Sequence, residues 1–239
     1  MPTELHEIMN ELNGRAQPAK AAILARFFKT GQGEYGEGDR FIGVTVPAAR
    51  AIAAKHAACD LDTLHELLHS PVHEHRLTAL LVLTLRFQKS QDPEDQEKIV
   101  RFYTRHADRV NNWDLVDLSC YKILGPWLEE RDKSLLHAWA HAGHLWQQRI
   151  AMVTCMHFVR KGRFDDCFAI ADILQHHPHD LIQKAVGWLL REVGKRDRQA
   201  LTRYLLPRYR HMPRTMLRYA IEHYDESARK QFLAGTRTG

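Results

Sequence analysis

The sequence of 239 residues is short of several things. No apolar run approaches the roughly 18 residues that a membrane-spanning helix needs, so no membrane association is expected. The opening residues, Met1-Pro2-Thr3-Glu4-Leu5-His6-Glu7, are acidic and lack the basic-then-apolar order of a secretory signal. A cytoplasmic location is therefore expected. Cysteine is scarce: Cys59, Cys120, Cys155 and Cys167 lie far apart, and no C-x-x-C pair occurs. They read as reduced, small core residues, which excludes a disulfide scaffold and a zinc finger. Runs of alternating β-branched residues are missing, so no strand is expected. Glycine and proline number only 13 and 9 and stand mostly between periodic segments.

Neither sign of charge dominates. Lys plus Arg is 34 against 29 for Asp plus Glu, a formal charge of +5. That excess permits nucleic-acid binding without requiring it. Hydrophobic residues make up 44% and charged residues 26%, an ordinary globular balance that argues against disorder.

What is abundant is helical periodicity. Leu64, Leu67 and Leu68 share a face, as do Leu77, Leu80, Leu81 and Leu85, and Ile150, Val153 and Met156 continue the pattern. Pro47, Pro71, Pro178 and Pro213 stand where new helices would start. Helices are predicted over 3–13, 18–29, 46–57, 61–69, 72–90, 93–107, 112–123, 133–141, 144–160, 164–176, 179–194, 197–205, 213–223 and 225–233. Many pair into hairpins of about 35–40 residues, each a short connector, a polar or basic helix start and a buried stripe. The expected fold is therefore all-α, with HEAT-like helical hairpins stacked into a curved, C-shaped solenoid, as one domain over 1–239.

One segment breaks the rhythm. Thr30-Gly31-Gln32-Gly33-Glu34-Tyr35-Gly36-Glu37-Gly38-Asp39 holds four glycines. No strand precedes it, so it is no dinucleotide fingerprint. It reads either as a flexible connector or as a loop that closes on a ligand or a nucleic-acid backbone.

Two patterns carry possible chemistry. His65-Glu66-Leu67-Leu68-His69 is a literal H-E-x-x-H, and His75 falls where an extended metalloprotease motif places its third ligand. That motif needs a glycine turn at Val72, whereas Pro71 starts a new helix. With 16 histidines in the chain, a chance match is expected, and the segment is read as structural, without zinc. His137, His141 and His144, and the His176-His177-Pro178-His179 turn, are read as solvated.

The second pattern is Asn111-Asn112-Trp113-Asp114-Leu115-Val116-Asp117. Asn112 suits an N-cap and Asp114 the first helical turn. Trp113 and Asp117 are four apart and share a helical face. Trp146-x-x-Arg149 opens a second helix, and Trp188 and Arg191 lie three apart in a third. These residues either converge on one groove or are core tryptophans with a structural Asp117–Arg149 pair.

Those blocks carry a resemblance. Trp113-Asp114-x-x-Asp117, Trp146-x-x-Arg149, Gln183-Lys184-Ala185-x-Gly187-Trp188-x-x-Arg191-Glu192, Phe41-Ile42-Gly43-Val44 with Pro47-x-x-Arg50, and Glu74-x-Arg76 resemble, in order, the AlkD family of DNA alkylation-repair glycosylases. The resemblance spans about residues 18–224. It implies a C-shaped stack of HEAT-like hairpins that excises cationic N3- and N7-alkylated purines from duplex DNA, without base flipping and without a metal or other cofactor. It implies that Asp117 is the catalytic carboxylate, that Trp113 and Trp188 cradle the lesion, and that Arg149 lies beside the carboxylate. The family's tyrosine near the start of the groove is replaced here by Phe27 or Phe28, which keeps an aromatic ring but loses the hydroxyl. Candidate DNA-binding residues are Phe27, Lys29, Arg50, Arg76, Arg160, Lys161, Lys184 and Arg191. The expected partner is duplex DNA carrying alkylated bases, bound by a monomer. The competing reading is a non-catalytic helical scaffold that recognises damaged or branched DNA.

Overall fold

A computed structural model describes residues 3–238. The described chain is all-helical, with no strand and a single isolated bridge between Arg40 and Val72. In order the helices are α1 Glu4–Asn13, α2 Pro18–Phe27, α3 Val46–Lys55, α4 Leu61–His69, α5 His73–Lys89, α6 Pro93–Arg105, α7 Trp113–Trp127, α8 Ser134–His141, α9 Leu145–Thr154, α10 Met156–Arg160, α11 Asp165–Leu174, α12 Asp180–Arg196, α13 Arg198–Leu205, α14 Arg214–Ala220 and α15 Glu226–Ala234. A short 3-10 turn spans Ala107–Arg109. No described helix is long and apolar enough to cross a membrane.

Local chemistry sets many of the boundaries. Thr45, Asp60, Asp92, Asp197 and Asp225 accept hydrogen bonds from the first-turn amides of α3, α4, α6, α13 and α15. Such caps each contribute about 1 kcal/mol by satisfying amides that have no intrahelical partner. Histidine fills the same role twice: the Nδ1 atoms of His144 and His179 accept from Gln147 and Leu181. The predicted 144–160 helix is two helices, α9 and α10. They divide at Cys155, whose amide bonds to Met152 three residues back instead of four.

The chain packs as two compact units, one ending at Ile123 and the other starting at Leu124. In the first, α5 is the central element and packs on α3, α4 and α6. Every residue of α5 from His73 to Thr84 is buried. A helix covered on all sides must satisfy its polar groups internally. Glu74 does so at the helix start: its carboxylate accepts the backbone N–H groups of Ile42, Gly43 and Val44, with Gly43 at 2.7 Å. Gly43 has a φ of +83°, and a Cβ there would overlap the Gln17 carbonyl oxygen, so no other residue fits the turn.

The glycine-rich segment is a series of turns. Glu34 accepts from the Gly31 amide and Glu37 from the Gly33 amide, at 2.9 and 2.8 Å. In the second unit α12 is central and packs on α9, α10, α11, α13 and α14. Gly187 allows a close approach of α12 to α14: a Cβ there would sit 2.5 Å from both the Met216 carbonyl oxygen and the Tyr219 Cβ. All four cysteines are buried and free, as their spacing implies.

Candidate active site

In the first unit the site is built at the start of α7. Trp113 opens the helix, and Asp117 follows one turn later; both are half-buried. The Trp113 ring is held by stacking on Phe28, with centroids 5.0 Å apart and planes at 17°. Phe28 stacks in turn on Phe41 at 5.0 Å, and Phe41 on His73 at 4.4 Å. Phe27 meets Trp113 edge-on at 5.9 Å. Offset and edge contacts of this kind contribute about 0.5–1.5 kcal/mol each beyond the area they bury, so the indole is fixed before any ligand arrives.

Polar contacts fix the backbone at the same place. Asn112 Oδ1 accepts from the Trp113 amide at 2.8 Å, while its Nδ2 donates to Asp39 at 3.1 Å. Asp114 accepts from the Leu115 amide at 2.8 Å and pairs with His73 Nε2 at 2.8 Å. His73 Nδ1 reaches Asp39 at 3.2 Å, and Arg76 donates to the other Asp39 oxygen and to the Ser70 carbonyl. Two carboxylates thus meet two cations inside the protein, and the buried charge balances. Burial alone would lower the His73 pKa. The charge and hydrogen bond of Asp114, with the bond to Asp39, outweigh it and raise the imidazole to about 9. Burial alone would raise the Asp39 carboxyl. The bonds from His73 and Asn112 and the charge of Arg76 hold it below the usual range.

In the second unit the functional candidates gather on α12. Lys184, Trp188 and Arg191 sit at i, i+4 and i+7, one face of the helix. Arg149, buried on α9, donates to the Leu181 carbonyl at 2.6 Å and so ties α9 to the first turn of α12. Lys184 pairs with Asp180 at 2.6 Å, and Arg191 pairs with Glu222. Lys161 pairs with Glu129, and Arg160 is exposed at the end of α10.

The family model described as DNA alkylation repair enzyme matches residues 8–224. The chain belongs to the DNA alkylation repair enzyme family. A solved structure described as a predicted DNA alkylation repair enzyme from Enterococcus faecalis is similar in fold: the TM-score is 0.69 at 16% identity, covering 89% of this chain and 98% of that one. No curated protein matches the chain. Membership in a DNA alkylation repair family gives the chain an enzymatic role in DNA repair, with DNA as substrate.

For a DNA alkylation repair enzyme, the placement of the sequence-derived candidates is informative. Phe27 is 62% exposed, whereas Phe28 is buried, so Phe27 is the ring available to a ligand beside Trp113. Phe27 also borders an open cavity of about 310 Å³ together with Leu24, Phe41 and Val46. Lys29, with a left-handed φ of 52°, and Arg50 are both exposed. Arg76 needs correction. It is 1% exposed and spent on Asp39 and the Ser70 carbonyl, so it supports the fold and is not presented to DNA. Asp114 is likewise more than a first-turn acid, because it anchors His73. The sequence reading missed Asp39 and His73; the one signal available was two polar residues beside Phe41 and Glu74, blocks already singled out.

The H-E-x-x-H segment does not assemble a metalloprotease site. His75 is buried on α5 against Ser70 Oγ at 2.9 Å, and burial pushes its pKa down to about 4. His65 and His69 lie on the exposed side of α4, where they meet His106 instead.

Proposed function

We propose that the protein is a DNA glycosylase that removes cationic N3- and N7-alkylated purines, 3-methyladenine and 7-methylguanine, from duplex DNA without flipping the base. The observation that carries this reading is the Asp117 carboxylate one helical turn from an indole that is locked by stacking, in a chain of the alkylation-repair family. Alkylation at these nitrogens makes the base a positively charged leaving group, so no general acid has to protonate it. The remaining barrier is the positive charge that develops on the sugar as the glycosidic bond breaks. A carboxylate near C1′ lowers that barrier, as in sugar hydrolysis through an oxocarbenium-like transition state. At about 4 Å and an effective dielectric near 20, the attraction is about 4 kcal/mol at most.

Trp113 offers the deoxyribose a ring face that tolerates cationic character, and Trp188 presents another such face on α12. Phe27 adds a further apolar face. Arg149 orients the reacting group or holds a phosphate. Lys29, Arg50, Arg160, Lys161, Lys184 and Arg191 supply backbone contacts. The ion pairs of Lys161, Lys184 and Arg191 are exchanged for phosphates on binding.

Release of 7-methylguanine and 3-methyladenine from methylated duplex DNA, measured for the wild type and Asp117→Asn, tests the reading. Asn keeps the size and removes the charge. Release should fall by about a hundredfold or more, since 1.36 kcal/mol is tenfold, while the melting temperature and DNA affinity are retained. A variant that melts normally and releases base at the wild-type rate would remove Asp117 from the chemistry. It would favour the non-catalytic scaffold, for which the missing hydroxyl at Phe27 is the specific argument.

A further inference from the structure

One cluster of metal-competent side chains lies outside the machinery just described. His65 and His69, one turn apart on α4, face His106 at the C-cap of α6. Their ring centroids lie 4.1, 5.1 and 5.6 Å apart, and one ligand-capable atom from each falls within 4.8 Å of the others.

The hydrogen bonds select the atoms. His106 Nδ1 lies 2.8 Å from the Phe102 carbonyl, so the proton sits on Nδ1 and the Nε2 lone pair points at the cluster. His69 Nδ1 lies 2.8 Å from the His65 carbonyl, which leaves Nε2 as the free electron pair. Imidazoles that donate one ring N–H to a carbonyl and present the other nitrogen are the usual form of a histidine metal ligand. His65 Nδ1 meets His106 Nε2 at 2.9 Å. Two nitrogens bound to one tetrahedral zinc at about 2.0–2.1 Å stand only slightly farther apart. A metal ion can therefore replace the shared proton, with neutral His65 carrying its hydrogen on Nε2 instead.

A second observation is independent of the rings. His69 is the last residue of α4 and His106 caps α6, so two helix C-termini converge here. Their partial negative charge favours a cation. Arg109 works against this, since it donates to the Leu68 and His69 carbonyls nearby; Asp108 adjoins Arg109 in sequence, and the exposed Glu66 adjoins His65.

We propose that His65, His69 and His106 form a binding site for a divalent transition metal of the zinc class, which staples the end of α4 to the end of α6. Three neutral imidazoles suit zinc, nickel or copper and offer nothing to magnesium or calcium, which take oxygen ligands. The fourth tetrahedral position is left to water. The role is structural and separate from base release, because none of the three histidines belongs to the α7 or α12 residues assigned to DNA.

The test uses the full chain, treated with chelator and exchanged into metal-free buffer, then titrated with zinc chloride by calorimetry and by thermal melting. A single saturable site is expected. Zinc at about a hundred times the dissociation constant should raise Tm by about 5–10 °C. His106→Gln and His69→Gln should each weaken binding at least tenfold, whereas His141→Gln, an exposed histidine elsewhere, should not. His69 is exposed, so its variant reports binding even if His106→Gln folds poorly. Magnesium chloride should produce no comparable shift. Absence of saturable zinc binding, or equal affinity in wild type and His69→Gln, would overturn the proposal. Base release measured in EDTA should be unaffected, which keeps this outcome distinct from that of the glycosylase reading.

Discussion

Raising the pH should unlock the start of α7 through His73. The imidazole lies 2.8 Å from Asp114 and 3.2 Å from Asp39 and is 2% exposed, so its charge is shielded from solvent and salt. Its pKa stands near 9 in the folded protein, against about 6.5 for an unperturbed histidine. At 1.36 kcal/mol per pH unit, the difference corresponds to about 3 kcal/mol of stability. The sign follows from the raised value. The folded state holds the proton more tightly, so the contribution is complete below about pH 6.5, declines as the pH rises toward 9 and is absent above it. For a chain of this size that is a fall of about 6–12 °C in Tm across the window. Thermal melting at half-unit steps from about pH 6 to 10, on wild type and His73→Gln, isolates the effect, because other groups titrate alike in both proteins. The wild type should lose stability between pH 6.5 and 9, and the variant, less stable at pH 6, should be nearly flat there. Parallel profiles would refute the argument, since they would mean that His73 carries no proton between the two carboxylates.

Two further outcomes are expected. Affinity for duplex DNA should fall by more than tenfold between about 50 and 200 mM salt, and Lys184→Ala should lower the salt slope by about one in a filter-binding or anisotropy titration. Gly187→Ala should destabilise the second unit by about 1–2 kcal/mol in urea unfolding, because overpacking against the Met216 backbone and Tyr219 outweighs the roughly 1 kcal/mol that alanine contributes to helix propensity.

The sequence carried the helices and the α7 motif because both are local. The Leu64-Leu67-Leu68 stripe and the Trp113–Asp117 spacing involve residues within a turn or two of each other. The Asp39–His73–Asp114 network is not local, since its members lie 34 and 41 residues apart. Nothing in their neighbourhoods marks them as partners. Arg76 shows how polarity misleads. His73-Glu74-His75-Arg76 reads as a basic helix start suited to phosphate, yet it is the buried start of a helix that is covered from His73 to Thr84. His73, Glu74 and Arg76 are matched by groups brought in by the loop before α3 or by the first turn of α7. His106 is non-local for the same reason: it joins the His65–His69 pair from 41 residues away, whereas His75 matches only the spacing of an extended metalloprotease motif.

The two units use one physical device for two helices. In the first, buried charges on Asp39, His73 and Asp114 hold the residues around Trp113. In the second, the buried guanidinium of Arg149 holds the first turn of α12, on which Lys184, Trp188 and Arg191 ride. One arm of Arg149 is committed to the Leu181 carbonyl at the start of α12. Losing the side chain removes that anchor along with any electrostatic role. A defect in Arg149→Ala is therefore at least partly a displacement of α12, whereas a defect in Asp117→Asn, which changes charge and little else, reports on chemistry.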